Sequence, residues 1–193
     1  MNIAVYGAAS SLIDKSYVEA GEELGRKIAE RGHGLVFGGG ANGMMGAAAR
    51  GVYEKGGYIL GIVPDFFKEA GSEISYKECN EYIYTDTMRE RKRLMEIHSD
   101  AFIITPGGIG TLDEFFEILT LKQLGRHNKA IVIYDINGFY DEFAQVLYKF
   151  VKEQFITDDC ASLCKILKNP DEILDYIESY DPKDIDLSKV KIR

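Results

Sequence analysis

The strongest constraint on this chain is a change of period that repeats along its length. Short runs rich in β-branched and aromatic residues alternate with amphipathic segments of helix length. "NIAVYG" is followed by helical periodicity over about Tyr17 to Arg31, "GLVFGG" by the same over Gly43 to Lys55, and then comes "YILGIV". The order continues through a short strand "EYIYT", a helix from about Asp86 to Ser99, the strand "AFIIT", a helix from about Thr111 to Leu124 and the strand "KAIVIYD". A helix around Phe139 to Glu153, a short run "SLCKIL" and a last helix "PDEILDYIESY" follow. Strands separated by helices build a parallel sheet covered on both faces, and such sheets take ligands at the carboxyl ends of their strands. The expected fold is therefore α/β, a three-layer αβα arrangement around a central parallel sheet. One domain over residues 1–180 is expected, and residues 181–193, with little periodicity, read as a surface tail without catalytic signal.

Glycines gather where the ligand end of that sheet is expected. Gly7, Gly38 to Gly40, and Gly107 to Gly110 each follow a strand. The stretch "GGGANGMMG" contains GxGxxG at Gly38, Gly40 and Gly43, the spacing of a dinucleotide fingerprint. It follows the second strand instead of opening the fold, and the chain has 20 glycines, so the spacing alone is weak. It reads better as a loop that leaves room for a ligand, with a plain strand-to-helix turn as the alternative.

The second loop, "PGGIGTLDE", carries more chemistry. Its glycines expose backbone N–H groups at the start of a helix, where the dipole also favours an anion, so Gly107, Gly108, Ile109, Gly110 and Thr111 are candidates to hold a phosphate. No GK[ST] follows, which argues against triphosphate hydrolysis. Thr111 and Glu114 also have the T-x-x-E spacing of a capping box, with Thr111 as N-cap. Two features point to a further role for Glu114. A core stripe of Leu112, Phe115, Phe116 and Leu119 fixes it in the first turn beside the phosphate site, where an acid suits a ribose better than a phosphate. In "MRERKRLM", Arg91 falls between Met95 and Leu94 on the apolar arc that includes Met88, and a cation there needs a partner. Lys92 borders the same arc. A snorkelling or structurally paired arginine and a solvated lysine are the plainer readings of these two.

Composition excludes several functions. With 31 acidic against 23 basic side chains the formal charge is −8, which disfavours broad nucleic-acid binding, so an anionic ligand must be held locally. No apolar run approaches the about 18 residues of a membrane span, and "MNIAVYGAAS" lacks the basic region of a signal peptide. Three cysteines without a CxxC pair imply a reducing cytoplasm. His33, His98 and His127 form no metal-ligand spacing, and no metal is expected. Without a G-x-S-x-G elbow, Ser10 reads as a loop hydrogen-bonding residue.

"GGGANGMMG", "MRERKRLM" and "PGGIGTLDE" together resemble the LOG (lonely guy) family, cytokinin riboside 5′-monophosphate phosphoribohydrolases sometimes labelled lysine decarboxylase-like. The resemblance runs from "IAVYGAASS" through "GGYILGIVP" to "LKQLGRHNKAIVIYDINGFYDEF", about the first 150 residues. Every fixed position of PGGxGTxxE is met, and Arg91 and Lys92 match the family's Arg-Lys pair. Leu121 and Ala130 stand where relatives often carry Trp and Pro. The resemblance implies a Rossmann-like fold, a homodimer with active sites near the subunit interface, and hydrolysis of a nucleoside 5′-monophosphate to base and ribose 5-phosphate without an organic cofactor. It also implies that Glu114 stabilises charge on the ribose or activates water, and that Arg91 contacts the nucleotide or orients Glu114. Lys92, Met88, Gly40 and Ser10 are further substrate-binding candidates. A noncatalytic nucleotide or cofactor carrier and a dinucleotide-dependent oxidoreductase are the competing functions.

Overall fold

Seven strands, β1 (Asn2–Tyr6), β2 (Gly34–Phe37), β3 (Ile59–Pro64), β4 (Glu81–Thr85), β5 (Ala101–Ile104), β6 (Ala130–Tyr134) and β7 (Lys165–Leu167), make one sheet in the order β4-β3-β2-β1-β5-β6-β7. Every neighbouring pair is parallel. This is a computed structural model, and it describes residues 1–69, 75–184 and 190. Between the strands run α1 (Lys15–Glu30), α2 (Gly43–Glu54), α3 (Phe66–Glu69), α4 (Met88–Ile97), α5 (Ile109–Gln123), α6 (Asp141–Lys152) and α7 (Asp158–Ala161), with α8 (Pro170–Ser179) after β7.

The two-residue alternation of the strands divides the core. Ile3, Val5, Leu35 and Phe37 pack with Leu24 and Ile28 of α1, Met44 and Val52 of α2, and Ile173 of α8. Ala4, Tyr6, Val36 and Phe102 pack on the other face with Met95 of α4 and Phe115 and Ile118 of α5. Each large aliphatic buried this way contributes about 1.5–3 kcal/mol. Side-chain caps fix several helix starts: Asp14 accepts from the Ser16 N–H, Thr87 from Glu90, and Asn169 from Asp171 and Glu172, with Pro170 following. Each such cap stabilises by about 1 kcal/mol.

Two expectations change here. Phe116, expected in the core stripe of α5, is 40% exposed. The buried arc is Thr111, Glu114, Phe115, Ile118 and Lys122. Two charged side chains occupy core-facing positions, so a stripe read from apolar residues alone is rotated away from the true one. Most of the tail 181–193 lies outside the described residues; Pro182–Asp184 form a 3-10 turn, and Val190 is buried against Cys160 and Leu163.

β1 is where the sheet positions a site. It pairs with β2 on one side and β5 on the other, so the loops leaving β1 and β5 part and open a crevice at their carboxyl ends. The strand ends are joined across it: Ala8 N–H donates to the Pro106 carbonyl at 3.0 Å, and Thr105 Oγ1 donates to the Tyr6 carbonyl at 2.9 Å. Tyr140 Oη donates to the Thr105 carbonyl at 2.8 Å.

Candidate active site

A cleft of about 660 Å³ occupies this crevice. Its walls are the loop after β1, the glycines after β2, the start of α5, and Met88 and Arg91 from α4. The two glycine loops end in different states. At the start of α2, Gly43 has φ +61°, and a side chain there would collide with the Ala8 carbonyl, while the Met45 N–H already donates to that carbonyl. The N-terminus of α2 is thus covered by the chain itself, against the phosphate geometry of a dinucleotide fingerprint.

The N-terminus of α5 is open. Its N-cap is Gly108, in extended conformation and with no side-chain capping bond, and the first helical bond runs from the Leu112 N–H to the Gly108 carbonyl. The N–H groups of Ile109, Gly110 and Thr111 therefore precede the helical ladder and point along the positive end of the dipole. A Cβ built on Gly108 or Gly110 would meet nothing within 4 Å. Neither position has a positive φ, so backbone conformation does not require glycine there, and both leave open space at the cleft.

The expected capping box is absent. α5 starts two residues earlier than its sequence suggests, which makes Thr111 its third residue, buried, and puts Glu114 in the second turn. The Glu114 carboxylate turns to Arg91: Nη1 donates to Oε1 at 2.7 Å, with the two side chains 7% and 10% exposed. Arg91 Nε donates to the Ile62 carbonyl at 3.2 Å, and its Nη2 passes so close to Gly38 that any side chain at 38 would collide with it. Gly38, which also lines the cleft, thus leaves room for the arginine. Burial pushes the Glu114 carboxyl above its ordinary 4.5, and the Arg91 guanidinium opposes that rise. A carboxylate so placed, with its proton affinity raised by burial, is suited to take a proton from water.

Of the other candidates, Ser10, Gly40, Met88, Gly108, Gly110 and Thr111 line the cleft. Ser10 Oγ accepts from the Leu12 N–H at 3.1 Å, the loop role expected of it. Gly107 and Ile109 do not line the cleft: a Cβ on Gly107 would collide with Thr111, and Ile109 is 90% exposed. Lys92 is also outside it, in ion pairs with Asp113 at 3.0 Å and with Glu117. Sequence reasoning missed Asn42, Met45, Val63, Phe67 and Asp113 in the wall. Asn42, Met45 and Asp113 lie inside the two glycine-rich motifs and Val63 inside the stretch "GGYILGIVP", but none was singled out as a residue, and Phe67 of α3 lies in no motif. Among the described residues no group of three or more His, Cys, Asp or Glu could hold a metal ion, and no helix is long and apolar enough to cross a membrane.

Fold and cleft define a class: a Rossmann-like α/β protein with an open helix N-terminus and a buried Arg–Glu pair at its topological switch point. A family profile described as "Possible lysine decarboxylase" matches residues 45–177. The chain is 35% identical over 181 residues to cytokinin riboside 5′-monophosphate phosphoribohydrolase LOG2 of Arabidopsis thaliana, covering 94% of this chain and 84% of that protein. It is also 35% identical to the LOG enzyme of that name from Oryza sativa subsp. japonica, over 94% and 74%. Among solved structures, the molybdenum cofactor binding protein of Rippkaea orientalis superposes with a TM-score of 0.71 at 22% identity, over 92% of this chain and 95% of that one. At that identity the likeness speaks for the fold. The chain belongs to the family of the LOG proteins, which the lysine decarboxylase description covers.

Proposed function

We propose that this protein hydrolyses the N-glycosidic bond of an adenine-type nucleoside 5′-monophosphate, cytokinin nucleotides included, releasing the free base and ribose 5-phosphate. One observation carries the reading: an uncapped helix N-terminus and a buried, arginine-held carboxylate face the same cleft, about one helical turn apart on α5. The 5′-phosphate binds the N–H groups at Ile109, Gly110 and Thr111. That anchor brings C1′ of the ribose to Glu114, and the base lies along Met45, Val63, Phe67 and Met88, an apolar wall that two flexible thioethers adapt to its shape. As the C1′–N bond breaks, its electron pair leaves with the base and the ribose ring takes on positive charge. The Glu114 carboxylate stabilises that charge and accepts a proton from the water whose oxygen bonds to C1′; a proton passes to the departing base nitrogen in exchange, so that neutral base and ribose 5-phosphate leave and the carboxylate is regenerated. Arg91 keeps the carboxylate turned to the ring. No organic cofactor takes part. The decarboxylase label finds no support in a Schiff-base lysine: among the described residues no lysine lines the cleft, and Lys92 and the buried Lys122 are engaged with carboxylates and with the Lys129 carbonyl and Tyr180, respectively.

The test is Glu114→Gln. Free base released from AMP falls at least about a hundredfold, within the range of a lost general base, while calorimetry still detects AMP binding. Base release at the wild-type rate would remove Glu114 from the mechanism.

We further infer a homodimer. α6 is strongly amphipathic yet has no buried residue; Val146 and Phe150 are 44% and 37% exposed. Asp141 and Glu142 open the helix and Lys149 and Lys152 close it, so antiparallel pairing with the same helix of a second copy sets opposite charges against each other. For a chain of net charge −8, such local complementarity is what permits self-association.

A further inference from the structure

Lys92, a further substrate-binding candidate by sequence, does not line the cleft. Its side chain is 16% exposed, and its ammonium lies between Asp113 and Glu117. Those two carboxylates flank Glu114 on α5, one residue before it and three after. α4 therefore grips α5 with consecutive residues: Arg91 takes Glu114, and Lys92 takes its acidic neighbours.

We propose that Lys92 is a positioning residue that acts through Glu114: by holding Asp113 and Glu117 it fixes the turn of α5 that carries the carboxylate and cancels the negative charge beside it. The inference rests on the reading of Glu114 as the group that activates water. Without Lys92, Asp113 would stand uncompensated in the cleft wall, repelling the ligand's phosphate, and Glu117 would add its charge behind Glu114. Among the described residues, the ionisable groups facing Glu114 are Arg91, Lys92 and Glu96 from α4, Asp113 and Glu117 from α5, and the Tyr6 hydroxyl from β1. Lys92 and Arg91 are the cations among them. Glu114 is raised by burial, opposed by Arg91 and, more weakly, by Lys92, so removal of Lys92 raises it further.

Two measurements separate this role from direct ligand binding, one of them independent of catalysis. The Glu114 carboxyl is titrated by carbon-detected NMR in the ligand-free protein, for wild type, Lys92→Met and Lys92→Arg; kcat, KM and the calorimetric Kd for AMP are measured on the same proteins. In Lys92→Met the carboxyl titrates at higher pH by about half a pH unit or more. The acidic limb of kcat/KM moves with it, and kcat at neutral pH falls about tenfold or more as the turn loosens. The Kd for AMP changes less than about threefold, the distinction between lost positioning and lost uniform binding. Lys92→Arg restores the titration and most of kcat. An unmoved Glu114 titration in Lys92→Met overturns the proposal, as does a Kd weakened tenfold at unchanged titration, which would make Lys92 a ligand contact. If the wild-type protein released no base, the NMR titration would still decide the coupling while the hydrolase reading fell by itself.

Discussion

Gly110 and Glu114 stand one turn apart on α5 and ask opposite things of a mutation. Gly110 is helical, with open space where a Cβ would be. Gly110→Ala should therefore leave the fold intact and raise its stability by up to about 1 kcal/mol, the helix-propensity difference, measured by urea unfolding. The methyl would stand where the phosphate approaches, so the KM for AMP should rise at least about tenfold, the effect of about 1.4 kcal/mol of lost binding. A rise in stability without any loss of binding would place the phosphate elsewhere. Glu114→Gln behaves differently from a lost cap. The amide can still accept the Arg91 hydrogen bond but leaves the guanidinium without its counter-charge, so unfolding should show a loss of about 1–3 kcal/mol beside the collapse in turnover. Arg91→Lys keeps a charge but has no planar fork to serve both Glu114 and the Ile62 carbonyl. Its circular dichroism should match wild type while kcat falls more than about tenfold.

At the scale of elements, what the sequence showed and what it hid are both clearest in α5. Periodicity placed a helix there and the glycines located its start to within two residues. Glycine, however, can serve as N-cap, so Gly108 took the place assigned to Thr111. Arg91 was legible because a cation interrupts an apolar arc; its link to Glu114 came from the family resemblance alone, since by spacing Glu114 looked like a cap, whereas a helix that starts at Ile109 sets it in the second turn against Arg91. Lys122 was not legible at all: a fully buried lysine reads in sequence as solvent-facing, and only the fold shows its ammonium bonded to the Lys129 carbonyl and Tyr180. The loop after α5 offers a pH test. His127 Nε2 must donate to the Ile118 carbonyl at 2.9 Å, and Nδ1 accepts from the Lys129 N–H, so the ring is held neutral. Burial, the first cause, pushes it down from 6.5 to about 4. Between those values the unfolded chain binds more protons than the folded one. This histidine's contribution is thus present above pH 6.5 and lost as pH falls through about 4. Glu114, raised in the fold, contributes the opposite slope as pH rises above 4.5, so the test is a difference. Denaturant stability of His127→Gln relative to wild type should be least favourable to the variant at pH 7 and converge as the pH approaches 4. A constant difference across that window would show that His127 does not titrate there.

For the whole molecule, the proposed pairing through α6 has a direct reading. Val146→Glu together with Phe150→Glu should convert a sedimentation-velocity dimer into a monomer with unchanged circular dichroism; a wild-type protein that already sediments as a monomer at micromolar concentration would end the idea. The sheet order was only partly legible, because alternation of strands and helices implies parallel strands without saying which become neighbours. The pairing of β1 with β5 rests on partners such as Ile3 with Ala101, which no local pattern encodes. That pairing also matters before the protein is complete. On the ribosome, β1 emerges first and finds β2 soon afterwards, but the strand for its other edge is not made until residue 101 has been added. Throughout that interval a largely apolar strand presents an unpaired edge, the kind of template that recruits other chains. A message truncated between β4 and β5 would therefore yield a sticky fragment, not a smaller folded protein, and a chaperone would find its target at the same strand that later forms the floor of the cleft.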